Sequence, residues 1–92
     1  MKPINSILIH EADNVATAIV DLDKGEIGRY SCKRGIVEVV VAEKIPQFHK
    51  FSVQDVPRDG WVRKYGEVIG QATRDIVKGA HVHVHNITSP EK

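Results

Sequence analysis

Three histidines alternate with valine near the end of the chain, in His81-Val82-His83-Val84-His85-Asn86. In an extended strand successive side chains point to opposite faces. The three imidazoles then share one face, and Val82 and Val84 share the other, against the core. Same-face neighbours on a strand stand roughly 6.5–7 Å apart. Imidazoles at that spacing can converge on one first-row metal ion through bonds of about 2.0–2.1 Å. His81, His83 and His85 are therefore candidate metal ligands; the plainer reading is a solvated edge strand whose polar face is histidine. A second candidate is Lys64-Tyr65-Gly66-Glu67-Val68-Ile69-Gly70. Lys64 and Tyr65 are residue types that hold a carboxylate or move a proton, and a surface turn is the plainer reading. His49-Lys50, just after Ile45-Pro46, is the third, with His49 as a candidate catalytic imidazole and a surface loop as its alternative. Cys32 stands alone, which excludes an intrachain disulfide and leaves cysteine-rich zinc chemistry without support. No phosphate-binding glycine loop, nucleophile elbow or heptad seam is present.

The elements that must position these residues are short. Proline and glycine interrupt the chain often, and the segments between them are rich in valine and isoleucine, which predicts a mostly β domain. Candidate strands are Ile4 to His10, Ile36 to Ala42, Val62 to Tyr65, Glu67 to Thr73 and Ala80 to Asn86. Glu38 to Val41 reads as buried on both faces. Val15 to Leu22 is ambiguous, because Asp13 or Asn14 could cap a helix there. An internal echo favours a strand ending in a turn. Ala18-Ile19-Val20-Asp21-Leu22-Asp23-Lys24-Gly25 aligns with Ala72-Thr73-Arg74-Asp75-Ile76-Val77-Lys78-Gly79, and Val53 to Gly60 is a looser third copy. Each copy predicts a strand ending at an Asp whose side chain bonds backbone amides of its turn, then a buried aliphatic residue, and a turn at Gly. Asp21, Asp55 and Asp75 are thus read as structural.

Composition sets the outer bounds. At 92 residues the chain makes one small domain, with its core within about residues 5–86 and a loose tail over 87–92. Hydrophobic residues are 41% and charged residues 27%, as in an ordinary globular domain. With 13 Lys plus Arg against 12 Asp plus Glu, the net charge is +1, and no basic stripe favours nucleic acid. No apolar run approaches the ~20 residues of a membrane span, and Met1 to His10 lacks the apolar stretch of a signal peptide, so a cytoplasmic location is expected.

The chain also resembles a known family. Ile45-Pro46-Gln47-Phe48-His49-Lys50, Lys64 to Gly70, and Asp75 to Asn86 look like the N-terminal SAF domain of the altronate/galactarate dehydratases. Asp13-Asn14-Val15-Ala16, with Asp21-Leu22 and Gly25, resembles the opening of that domain. The likeness covers roughly residues 5–86 and is most specific from Lys64 to Asn86. It implies a β-clip, a long hairpin bent over itself. It also implies a hydro-lyase that removes a proton beside a sugar-acid carboxylate and expels a β-hydroxyl, with iron or manganese as the divalent metal. The expected partner is a large catalytic dehydratase subunit, and self-association is a further arrangement such a domain allows. The His81/His83/His85 face would line the metal–substrate pocket, with Lys64 and Tyr65 as carboxylate contacts. The chain ends just after the motif, so a separate small subunit, or a domain cut at its boundary, is expected. The (2R)-sulfolactate sulfo-lyase small subunit is similar, and the His-rich ending favours altronate-type or sulfo-lyase subunits over galactarate dehydratase. A stand-alone SAF ligand-binding module is the other reading. Within it, the charge fraction disfavours an ice-binding face and the N-terminus disfavours a periplasmic chaperone.

Overall fold

The computed structural model describes residues 3–89. It contains nine strands: β1 Ser6–Ile7, β2 Val15–Ala18, β3 Ile27–Cys32, β4 Gly35–Val40, β5 Lys50–Ser52, β6 Trp61–Lys64, β7 Glu67–Ala72, β8 His81–Val82 and β9 Ile87–Thr88. They form three antiparallel sheets, ordered β1-β2-β5-β8, β3-β4 and β6-β7-β9. Among the described residues there is no helix, so the expected mostly β class holds.

The ambiguous Val15 segment is a strand because its candidate helix caps are engaged elsewhere. Asn14 donates its side-chain amide to the Trp61 carbonyl at 2.9 Å and accepts from the Arg63 N–H at 2.8 Å. The buried Asp13 carboxylate accepts from the Tyr65 and Gly66 N–H groups, at 3.1 and 2.8 Å, and from His10 N–H at 3.1 Å. Both side chains therefore lock the β6–β7 hairpin onto β2 across about fifty residues of sequence. With Asp13 below it, the Tyr65-Gly66 tip takes positive φ at both residues, 61° and 76°, the backbone of a two-residue hairpin turn.

The repeated turn is built four times. Leu22 bridges Ile45, and Val56 bridges Ile76, each pair exchanging two backbone hydrogen bonds. Three residues after each bridging aliphatic the backbone is left-handed: Gly25, Phe48, Asp59 and Gly79. Each of these four donates its N–H to a strand end, respectively Val41, Ala18, Ala72 and Ser52. Each acceptor stands four residues before the partner's bridging residue, so the two pairs obey one rule. The aspartates do not bond their own turns. Asp21 accepts from Gln47 N–H, Asp55 from Lys78 N–H and Asp75 from Arg58 N–H, all at 2.8 Å. Asp59, rather than the expected Gly60, takes the left-handed place in the Val56 copy. Gly79 has no alternative residue, because a Cβ there would run into the Val40 carbonyl.

The four-stranded sheet separates two small cores. Ala16, Ala18 and Phe51 face one side, with Leu22, Tyr30, Val39, Val41 and Ile45. Val15 and Val82 face the other, with Val56, Val62, Ala72, Ile76 and Ala80. Alternation along β2 thus feeds both cores.

Several expected bounds change. Ile4 to His10 contributes only Ser6–Ile7 as strand. Val39 and Val41 are 1% exposed but Val40 is 62% exposed, so the Glu38 to Val41 run alternates and is not buried on both faces. Ile87 and Thr88, placed in a loose tail by the sequence reading, pair with Ala72 and Gln71 as β9. The rest of that tail, from residue 90, lies outside the described residues.

Candidate metal centre

The histidine motif is not a six-residue strand. β8 stops at Val82, and residues 83–86 form a turn closed by Asn86 N–H and Ile87 N–H bonding to the His83 carbonyl. Buried Asn86 also accepts from His83 N–H at 3.0 Å and donates to the His81 carbonyl at 2.8 Å. Val84 is consequently 80% exposed and does not pack on the core as expected. The rings still gather on one side. His81 lies 5.5 Å from His83 and 5.3 Å from His85, centroid to centroid.

His49 completes the cluster. It immediately precedes β5, which lies beside β8 with Phe51 opposite His81. Two residues before Phe51, His49 projects to the same face. Its ring centroid is 5.1 Å from that of His81 and 4.7 Å from that of His83, and its Nδ1 stands 2.9 Å from His81 Nε2. One donor nitrogen each from His49, His81 and His83 lies within 4.8 Å of the others. The sequence grouped His81, His83 and His85; the structure instead puts His49 with His81 and His83, and leaves His85 beside them. Among the described residues this is the one group of three such side chains close enough to share an ion.

The cluster favours neutral imidazoles. His81 is held below the ordinary imidazole pKa, first by burial and then by His49, His85 and His83, with Glu43 opposing. His83 is lowered by partial loss of water at its ring, although the residue is exposed overall, and then by His49, Lys50 and His85. A neutral imidazole keeps a lone pair for a metal. Two cis ligands on roughly 2.1 Å bonds stand about 3 Å apart, close to the His49–His81 nitrogen separation.

Lys64 and Tyr65 sit at the end of β6 and at the hairpin tip. The Lys64 ammonium lies 4.9 Å from the Tyr65 ring centroid, and Tyr65 is exposed. Lys50, which follows His49 at the start of β5, has its pKa lowered by burial and then by the Lys64 charge. The sequence reading gave Lys50 no separate role; its signal was its place beside His49. Thr17 lies opposite Lys50 in register. Its Oγ1 is buried without a hydrogen-bond partner among the described residues.

Residues 4–90 match the family described as Altronate/galactarate dehydratase SAF domain. Altronate dehydratase of Bacillus subtilis is 40% identical over 81 residues, and that of Escherichia coli 39% over 80; each alignment covers 87% of this chain. The chain spans only 15% of the length of either relative. The (2R)-sulfolactate sulfo-lyase subunit alpha of Chromohalobacter salexigens is 31% identical over 84 residues, covering 87% of this chain and 89% of that subunit. The match over residues 4–90 shows that the chain belongs to the altronate/galactarate dehydratase SAF-domain family.

Proposed function

We propose that this chain is the SAF component of an altronate-type sugar-acid dehydratase, acting with a large catalytic polypeptide at a shared, metal-dependent site. The observation that carries the reading is the convergence of His49, His81 and His83 donor nitrogens within 4.8 Å. Removing a proton beside a carboxylate builds negative charge on the substrate, and a divalent cation chelated there supplies the compensating charge. Three imidazoles suit iron better than manganese, which prefers oxygen ligands. His49 and His81 supply the close nitrogen pair, and His83 supplies the third from the turn that Asn86 holds. In this reading His49 acts as a ligand rather than as the expected separate catalytic imidazole. Lys64 contributes positive charge toward the substrate carboxylate, and Tyr65 flanks it.

A second reading is supported by the 89% coverage of the sulfo-lyase subunit alpha, in which the group expelled differs and the cation's role is the same. Both are tested by purifying the chain with its large partner from the native host. The complex is then assayed with Fe²⁺ or Mn²⁺ on altronate, galactarate and (2R)-sulfolactate. Metal-dependent turnover by the complex, with none by the chain alone, is expected. Turnover by the isolated chain, or a complex inactive on all three substrates, overturns the proposal and leaves the stand-alone ligand-binding module.

A further inference from the structure

We propose that the free edge of β4 is a self-association surface, on which a second copy of this chain adds its own β4, antiparallel, about a two-fold axis at Ile36. Its role does not depend on the dehydratase reading.

The hydrogen-bonding phase of the β3–β4 hairpin leaves that edge open. Arg29 stands opposite Glu38, and its backbone is engaged on the far side of β3: its carbonyl accepts from Asn5 N–H at 3.0 Å and its N–H donates to Asn5 Oδ1 at 2.7 Å. Arg29 and Glu38 are therefore a pair that exchanges no ladder bond, and the alternation makes Ser31 and Ile36 another. The N–H and C=O groups of Ile36 and Glu38 thus point away from β3, and among the described residues none of the four has a hydrogen-bond partner. Beyond Val40 the edge is closed, because Ala42 N–H donates to the Gly79 carbonyl at 2.8 Å. The open stretch is residues 34–38, and an unpaired edge of this kind is a template for another strand.

Side-chain chemistry selects the occupant. Val37 and Val39 turn toward the first core, which leaves Ile36 and Glu38 on the solvent face, with Ile36 55% exposed. Paired about Ile36, two copies set Ile36 against Ile36 and each Arg34 against Glu38 of the other copy. Opposite charges directly across a strand pair are favourable. A pairing about Val37 would set Ile36 against Glu38, and one about Glu38 would set two carboxylates together, so charge chooses the Ile36 register. Both groups are available for it. Arg34 is exposed and takes part in neither ion pair of the described residues. Glu38 meets Arg29 Nε and a terminal guanidinium nitrogen through Oε2 alone, each at 2.7 Å, and its side chain is 53% exposed. The result is a continuous four-stranded sheet across the two copies, with β4 against β4 at its centre. A contact over residues 34–38 is smaller than the ~1,000 Å² of a stable interface, so the dimer is weak and depends on concentration.

The test is sedimentation equilibrium of the full chain from low to high concentration, together with backbone amide exchange read by NMR. The mass should rise from the 10.3 kDa of one chain toward twice that value. The Ile36 and Glu38 amides should gain protection as it does, while Val37 and Val39, bonded to β3, stay protected throughout. Arg34→Glu should raise the dissociation constant roughly tenfold or more, since it places like charges opposite each other. Lys24→Glu, the same charge change at another exposed turn, should leave it unchanged. Ile36→Pro removes an N–H that the β3 ladder does not use and should abolish the dimer. If that variant folds poorly, Arg34→Glu decides. A monomer at every concentration, or a dimer that Arg34→Glu leaves intact, overturns the proposal. Protection of Ile36 and Glu38 that appears only when the large polypeptide is added also overturns it, and makes the edge a docking strand for that chain.

Discussion

Replacing Thr17 with valine tests whether its hydroxyl carries a structural bond, because the sign of the stability change depends on it. Valine has nearly the shape of threonine, with a methyl in place of the hydroxyl. Thr17 Oγ1 is buried and has no partner among the described residues, so it contributes a desolvation cost and no compensating bond. Mutational data put that cost at about 1–3 kcal/mol for a buried unsatisfied polar group. Valine also suits a strand at least as well as threonine. Thr17→Val is therefore expected to stabilise the chain by about 1 kcal/mol, which for a domain of this size raises Tm by roughly 4–8 °C. Differential scanning calorimetry of the metal-free, ligand-free chain reads this directly. A Tm that falls would show that the hydroxyl has a structural partner, and would refute the reasoning from its isolation.

Three other predictions rest on separate observations. Asp13→Ala removes three backbone hydrogen bonds to a buried carboxylate and should destabilise the chain by about 3 kcal/mol in urea unfolding; a loss below about 0.5 kcal/mol contradicts the role of Asp13 in seating the hairpin. Asn86→Ala frees the turn that carries His83 and should weaken divalent-metal affinity roughly tenfold, with unchanged affinity as the contrary result. Because His81 and His83 are held below the ordinary imidazole pKa of about 6.5, the unfolded chain binds more protons than the folded one as pH falls through that value. Their stabilising contribution is present above pH ~6.5 and is lost below it, so metal-free Tm should drop between pH 7.5 and 5.5, and less so in His81→Gln; a flat profile contradicts the imidazole crowding.

Local chemistry was legible in the sequence, and long-range pairing was not. The Asp-x-x-x-Gly echo correctly marked Leu22, Val56 and Ile76 as buried aliphatics next to turns. It missed the fourth turn, at Ile45, because Phe48 occupies the left-handed position without the glycine that normally signals it. It also aimed each aspartate at its own turn, whereas the acceptors face the turn of a partner that only the folded chain brings near. The alternating histidines announced a cluster. Their period suggested a strand, and the competing signal was Asn86, whose side chain bonds His83 and His81 and turns the chain. His49 entered the triad through the β5–β8 pairing, across 32 residues, which no local pattern encodes.

The central claim is that His49, His81 and His83 together hold one divalent ion, and anaerobic isothermal titration of Fe²⁺ into four forms of the chain tests it most directly. The structure predicts one site per chain in the parent, binding largely abolished in His49→Ala and in the His81→Ala, His83→Ala double variant, and binding nearly intact in His85→Ala. A His85→Ala variant as damaged as His49→Ala, or affinity that survives the double substitution, would contradict it.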